Sequence, residues 1–485
     1  MTGTLTRIEK KNPFQIIYDF FKGVVVDFIE GDAFVKLSLL VMGAGYFRRR
    51  QIVKGLIMTA FQVVIFYFVF TFAAHYLSRI GTLGTVEFES VFNPLTMKNE
   101  FNDFDHSFQI LLYGIISILV MAGSFLIYLR NIRSVRALEV RAREGKNIPT
   151  FIEEAKTMRD ERFHIALLSL PCLGIVLFTI VPLVVMITVA FTNYDQMHMP
   201  PASLFTWVGI ENFKTLFGNN ITNSFGYAFG IVLSWTLIWA FAATFTNFFL
   251  GIALASFINN AKTKLKRVWR TMFIVSIAVP QFVSLLVVRN FFATTGIANT
   301  IAKEIGLTEL LIRLGMVQEH LGHIPFLTDP TWARVMIILI NIWIGVPFTM
   351  LIATGVLMNI PKDLYESARI DGAGPFKQYV YITMPYILFV MSPFLVTQVV
   401  HNINNFNVIY LLTDSVYTTL DQTLSGANAR EVDLLVTWLY RLTQDQYNYK
   451  MASVIGIMVF VVCAVFTLIA FNLIINRNKE DKFQL

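Results

Sequence analysis

Two sets of uncharged polar residues stand inside apolar runs at helical spacing, and they are the residues of this chain best suited to recognising a ligand. Asn341, Gly345 and Phe348 fall at i, i+4 and i+7, so one helix face offers an amide, a gap and an aromatic ring. Gln398, Asn402 and Asn405 repeat that spacing in a later run, with His401 and Asn404 beside them. In a third run Gln281 follows Pro280, a residue able to kink a helix and turn its carbonyls toward a cavity. Amides donate and accept as sugar hydroxyls do, and an aromatic face covers the apolar side of a pyranose ring. A set without Asp, Glu or Arg offers no partner for the charges of amino acids or phosphates. The spacing is also compatible with a plainer role, in which Asn and Gln hydrogen-bond neighbouring helices.

Other chemistry finds little support. No G-x-x-x-x-G-K-[ST] loop occurs, and Gly145-Lys146 lacks the upstream glycine and the hydroxyl that would cradle phosphate and magnesium, so ATP hydrolysis is not expected here. His320 and His323 lack nearby Cys or a carboxylate set, and chance explains them better than a metal site. No nucleophile–base constellation is visible, and no cofactor is expected. Cys172 and Cys463 both lie in apolar runs, which indicates neither a disulfide nor a metal framework. Gly226 and Gly230 form a lone G-x-x-x-G, at best a packing face, and Arg289 is expected to snorkel to an interface.

The elements that must position these residues follow from hydropathy. With 55% hydrophobic and 15% charged residues the chain is far more apolar than a soluble domain. About eight runs are long enough to span a bilayer: 55–76, 108–129, 165–192, 229–258, 271–292, 335–358, 385–412 and 451–475. The expected fold class is therefore all-α, a polytopic transmembrane helical bundle. The net charge of +7 is read as positive-inside bias, because Arg48, Arg49, Arg50, the stretch from Arg130 to Arg162, and Lys262, Lys264, Lys266, Arg267 and Arg270 flank the runs. That places both termini in the cytoplasm of a multi-pass cell-membrane protein. The start, MTGTLTRIEKKNPF, is too polar for a secretory signal. Residues 1–54 read as a cytoplasmic or interfacial segment: an amphipathic stretch, Phe14 to Phe28, carrying Ile16, Ile17, Phe20, Phe21 and Val24, then an apolar run from Phe34 to Phe47 too short to span. Residues 55–162 hold two spans and a basic loop, and 163–485 form a six-span core.

Inside that core lies a charged, glycine-broken island, Glu366 to Pro385, which must sit in water at a membrane face. Asp363 is expected to cap a short helix bearing Leu364, Tyr365 and Ala368, and Gly372 to end it. Gly374 and Pro375 restart the chain, and Phe376, Tyr379 and Val380 predict a second short amphipathic helix, making a two-helix knob. The small Ser367 and Ala368 admit another backbone, while Glu366, Arg369 and Asp371 suit a polar, reversible contact.

This island resembles the coupling loop of membrane subunits in ABC importers, with the pattern E-A-A, three residues, G, nine residues, I-x-L-P. Glu366, Ala368, Gly372, Ile382 and Pro385 are in register, with Ser367 in place of Ala and Met384 in place of Leu. From about Lys264 onward the chain is similar to the MalF-type permeases of maltose and maltodextrin importers, notably in TDPTWARVMIILINIWIGVPF (328–348) and NNFNVIYLLT (404–413). The resemblance implies a type I importer permease fold whose cytoplasmic coupling loop, 361–385, receives two separate ATPase subunits. Glu366, Ser367, Ala368, Asp371, Gly372, Ile382 and Pro385 would carry that coupling. It further implies a second homologous permease, an external sugar-binding protein, and a substrate pocket lined by Gln281, Asn341, Ile344, Gly345, Phe348, His401, Asn402 and Asn405. Ile277 and His401 stand where the family's pocket has rings, which leaves open which neutral sugar is carried. An ion-coupled secondary sugar transporter is the alternative, but apart from His401 and Arg289 the spans hold almost no ionisable residue. A membrane scaffold would leave the amide faces without a purpose.

Overall fold

The computed structural model describes residues 13–95, 97–218, 224–260 and 263–480. Residues 1–12, the Ile16 and Ile17 side chains, Lys262 and residues 481–485, to which roles were assigned above, lie outside the described residues. Among the described residues seven helices are long and apolar enough to cross a membrane, and one bent pair brings the number to eight if its halves form one crossing. In chain order the elements used below are α1 (Pro13–Glu30), α2 (Ile52–Arg79), β1 (Ser90–Asn93), β2 (Lys98–Phe101), α3 (Ser107–Arg143), α4 (Phe163–Val189) and α5 (Ser224–Asn259). They continue with α6 (Lys266–Ala278), α7 (Gln281–Phe291), α8 (Pro330–Met358), α9 (Lys362–Ile370), α10 (Pro375–Thr413), α11 (Leu435–Gln444) and α12 (Tyr449–Ile474). The fold is a polytopic helical bundle, as the apolar runs require, because a helix satisfies its own backbone in lipid. The chain separates into two compact units, Met1–Trp207 and Val208–Leu485.

In the first unit α3 is longer than its apolar run. The stretch after Leu129 is rich in good helix formers, and the helix continues through it to Arg143. One side of that extension is covered by the N-terminal segment. Val24 of α1, with Val35 and Tyr46, packs on Ile132, Val135 and Leu138 of α3. The run from Phe34 to Phe47, expected as a single interfacial or re-entrant piece, is instead two five-residue helices, Ala33–Leu37 and Ala44–Arg48. Charges finish the joint. Buried Glu139 accepts from Arg136 at 2.7 Å and from the Asp32 N–H at 3.2 Å, and it also pairs with Arg143. Asp32 in turn pairs with buried Arg49 at 2.9 Å. Arg133 and Arg136 of α3 also pair with Asp27 and Glu30 of α1, each at 3.3 Å, and hold the N-terminal segment in place.

On the far side of this unit, α2 and α3 are joined by residues 80–106, which carry the antiparallel hairpin β1–β2 with Ser90 opposite Phe101 and Asn93 opposite Lys98. Buried Asp105 clamps its base. The carboxylate accepts the N–H of Thr85 at 2.8 Å and of Val86 at 3.2 Å, and pairs with Arg79 at 2.9 Å. Burial alone would raise its pKa. The two N–H donors and the Arg79 charge outweigh that and hold the carboxyl below its ordinary range. A depressed folded-state pKa means that this contribution is complete above the unfolded value and disappears as pH falls through the folded one.

The second unit is organised on α5, which packs against α8 and α10. Its residues Trp235, Trp239 and Ala243 share one buried cluster with Ile337 and Ile340 of α8 and Val408 and Ile409 of α10. Phe248, Ile252 and Ala255 share a second with Met350 and Ala353 of α8 and Ile387 and Met391 of α10. The indole N–H groups in this core are satisfied: Trp235 donates to the Val432 carbonyl at 3.1 Å and Trp239 to that of Asn402 at 3.0 Å. Two glycines set the distance between α5 and α8. A Cβ on Gly251 would lie 2.6 Å from the Cβ of Thr349, and one on Gly345 would lie 2.2 Å from the amide nitrogen of Asn247. Each helix inserts a polar side chain over the other's glycine. By contrast, a Cβ on Gly230 would meet nothing within 4 Å.

The fifth run is broken. α6 and α7 meet at 90°, with Val279 extended and Pro280 preceding α7. Proline restricts the residue before it to extended geometry, and this makes the sharp turn where a mild kink was expected. Arg289 of α7 donates to the Leu411 carbonyl near the end of α10 at 3.4 Å. Replacing Gly251 by Leu is expected to lower the stability of the detergent-solubilised protein by about 1–3 kcal/mol through overpacking against Thr349. Gly174→Ala, at a position with open space around it, is the matched control and should leave the thermal midpoint unchanged. In hydrogen–deuterium exchange, Asp105→Leu should remove the protection of the Thr85 and Val86 amides that the wild type keeps at neutral pH.

Candidate functional site

The charged island forms α9, an exposed helix following α8. Asp363 does not cap it: the N-cap position is Pro361, and Asp363 sits within the first turn, where its charge favours the helix N-terminus. The C-terminus is as expected. Gly372 has φ +78°, and the N–H groups of Gly372 and Ala373 donate to the carbonyls of Arg369 at 3.0 Å and Ala368 at 2.8 Å. This is a Schellman closure, which needs a left-handed residue. The second short helix of the expected knob is not separate. Pro375–Gln378 runs through a π turn at Tyr379–Thr383 directly into the membrane helix, so α10 is one rod from Pro375, with a one-residue-wide loosening of its hydrogen bonding where Thr383 is buried. Tyr365 of α9 bonds Thr383 at 2.8 Å, and the Gln378 amide donates to the Ala373 carbonyl at 2.8 Å. α9 and the turn after it are thus joined to the start of α10 by two short hydrogen bonds.

Glu366, Ser367, Asp371, Gly372 and Pro385 are exposed, and Ala368 and Ile382 are half-buried. Around them stand large uncovered apolar side chains: Ile370 is 86% exposed, Phe376 79% and Leu364 46%. So much apolar surface beside charge, on a water-facing element, is the composition of a contact surface.

The polar residues of the spans separate into two groups. Asn402 and Asn405 are buried. Asn402 Nδ2 donates to Thr244 of α5 at 2.9 Å, its Oδ1 accepts from Asn405 Nδ2 at 3.3 Å, and Asn405 Oδ1 accepts the Val408 N–H at 3.3 Å. These two amides tie a break in α10 to α5. Asn341 is also buried, and its Nδ2 has no partner among the described residues. Gly345, half-buried, lies under Asn247, whose Oδ1 is likewise buried without a partner. The second group looks outward. Gln281 opens α7 and is exposed, as is His401, while Phe348 is 45% exposed with its ring 6.4 Å from that of Phe394; Ile344 is half-buried beside them. Phe394 lies two turns before His401, so α8 and α10 present a joint aromatic and imidazole face.

Asn247, Thr244 and Phe394 did not stand out in the sequence. Thr and a lone Asn are common in membrane helices, and only the α5–α8 contact gives Asn247 a neighbour. The histidines of the loop before α8 do not gather a metal set. His323 Nδ1 lies 2.6 Å from the Leu321 carbonyl, and no group of three His, Cys, Asp or Glu comes together among the described residues.

Asn402→Leu is expected to destabilise the protein by about 1 kcal/mol, since Thr244 and Asn405 lose their partner. His401→Ala should leave the thermal midpoint where it is. If the two variants exchange these outcomes, the division into packed and outward-facing residues is wrong.

Comparison with known proteins places this architecture. The family described as binding-protein-dependent transport system inner membrane component matches residues 247–480. The galactooligosaccharides transport system permease protein GanP of Bacillus subtilis is 33% identical, over 88% of this chain and 93% of its own length. The maltodextrin transport system permease protein MalC of Streptococcus pneumoniae is 31% identical, over 92% of this chain and 96% of its own. Among solved structures, a chain of a bacterial ABC transporter involved in the import of the acidic polysaccharide alginate shares the fold, with TM-score 0.51 and 24% identity over 66% of this chain and 98% of that one. The broken crossing, the exposed α9 with its glycine closure and the kinship of nearly the whole length agree: the chain is a multi-pass membrane protein belonging to the family of inner membrane permease components of binding-protein-dependent ABC importers.

Proposed function

We propose that this permease carries a neutral oligosaccharide of the maltodextrin or galactooligosaccharide kind, along a path completed by a second, homologous permease. The outward-looking set supports this reading. Gln281, Phe348 and His401 bring an amide, a ring and an imidazole to exposed surfaces of α7, α8 and α10, with the half-buried Phe394 ring beside Phe348 and no carboxylate or guanidinium among them. Such a set suits hydroxyls and pyranose faces rather than an acidic polymer. Gly345, Asn402 and Asn405 hold α5, α8 and α10 at their working distance, and the buried Asn341 amide keeps a donor, free among the described residues, beside Ile344 of the same helix for the path. The relatives' substrates, galactooligosaccharides and maltodextrin, are of this class.

The drive comes from elsewhere. The chain has no phosphate-binding loop, and α9 with Glu366, Ser367, Ala368, Asp371 and Gly372 is its handle for two cytoplasmic ATPase subunits, with Ile382 and Pro385 leading the motion into α10. An external binding protein delivers the sugar on the opposite face. The basic stretches at the end of α3 and the start of α6 support a cytoplasmic placement of both termini. Residues 163–485 are the transport core, and the segment from α1 to Arg49 braces the basic end of α3. ATP binding closes the ATPases, α9 follows, and the path alternates between its two openings.

Gly372→Val tests the coupling. A β-branched residue at φ +78° costs about 1–2 kcal/mol locally, far too little to prevent membrane insertion. The expected result is a complex that still hydrolyses ATP but no longer accumulates sugar. Wild-type uptake by this variant would remove the coupling role. For the substrate, Phe348→Ala should raise the KM for uptake of a neutral oligosaccharide while leaving ATPase activity without sugar unchanged.

A further inference from the structure

The hairpin β1–β2 carries apolar surface that the first unit leaves uncovered. Leu95 is 93% exposed, Met97 76%, Val91 65% and Phe92 56%, all at or next to the turn. The chemistry changes toward the base, where Glu87, Glu89, Glu100 and Asp103 supply charge. There the rings of Phe88 and Phe101 stack at 5.5 Å, with Phe104 edge-on to Phe88 at 5.1 Å. The base is fixed to the ends of two membrane helices. Asp105 joins Arg79 at the end of α2 to Thr85 and Val86, and it lies two residues before α3 begins.

We infer that this hairpin is a membrane anchor, whose apolar tip enters the lipid leaflet on the face of the bilayer opposite the basic end of α3. Three observations favour lipid over a protein partner. Both ends of the hairpin are held at the membrane boundary, so the tip is tethered within reach of the leaflet. The apolar part is a few side chains at one turn, far smaller than the roughly 800 Å² a side that a stable protein interface needs. And Lys98 sits directly behind the tip, where a cation meets lipid phosphate while Leu95 and Met97 lie among acyl chains. Open to water on a rigid stalk, the same surface would favour aggregation. In the leaflet it fixes the outer ends of α2 and α3 against rotation while the rest of the transporter moves.

The test uses the complete transporter in proteoliposomes of phosphatidylethanolamine and phosphatidylglycerol, with Cys172→Ser and Cys463→Ser and a polarity-sensitive fluorophore on Leu95→Cys. The same fluorophore on Asp103→Cys, at the exposed base, is the control. The expected result is blue-shifted emission from position 95 that nitroxide-bearing lipid quenches strongly and aqueous iodide hardly at all, with the reverse at position 103. Equal iodide quenching at both sites overturns the inference. So does a blue shift at position 95 that appears only when a sugar-binding protein is added, because the tip is then a protein contact. The readout does not depend on transport, so it remains valid whichever substrate the permease carries.

Discussion

The second unit depends on one close approach, where α5 and α8 cross with Thr349 seated over Gly251 and Asn247 over Gly345. Lipid tails are as apolar as leucine, so burying leucine between two membrane helices yields little, and the attraction must come from packing and hydrogen bonds. Removing the side chain at two positions brings the backbones together and lets the neighbouring residues interlock. Everything on α8 inherits that placement. Asn341 and Phe348 lie within about 20° of each other around α8 but two turns apart, so it is the neighbour at each level that buries Asn341 and leaves Phe348 45% exposed. The polar residues of α10 complete the arrangement: Asn402, bonded to Thr244 and receiving the indole N–H of Trp239 on its carbonyl, makes α5 the common support of both helices.

The interruptions of the helices are as informative as their packing. α10 breaks at Asn404, and Asn405 caps the resumed helix through its own side chain. The crossing made of α6 and α7 turns by 90° at an X-Pro pair. In hydrocarbon an unpaired backbone group is expensive, so such breaks persist only where protein or a polar path covers them. Both flank the outward-looking set, and they give the proposed path its polar lining without charged side chains. At the other end, the π turn of α10 next to the Tyr365–Thr383 bond puts the least regular part of the rod at the point where α9 is attached. A wider turn already lacks the regular ladder, and there a helix changes direction at the smallest cost.

The span pattern was readable because the bilayer sets a length and a hydropathy that a single run either meets or does not. Seven of the eight runs are single long apolar helices, the fifth is the bent pair α6 and α7, and most ends agree to within a turn. The glycine at the end of α9 was readable for a local reason as well: helix closure in the left-handed region selects glycine from sequence neighbours alone. Asp363 was misplaced as a cap because Pro361, two residues earlier, starts the helix sooner. The separate second helix of the knob was an artefact of treating polar and apolar halves as different elements. Helical hydrogen bonding runs through a change of composition without noticing it, as it also does from Leu129 to Arg143 in α3.

The amides show where local reasoning stops. Asn341, Asn402 and Asn405 share a spacing that puts each on a defined face of its own helix, and that much belongs to the sequence, along with membrane crossing, the water-facing island and the family. Which way each face looks is a property of the pair of helices. It is set by where Gly251 and Gly345 allow contact, and those glycines are nearly a hundred positions apart, in runs whose relative rotation no periodicity records. For that reason the tertiary structure alone separates amides that hold helices together from the ring and imidazole surface left open beside them.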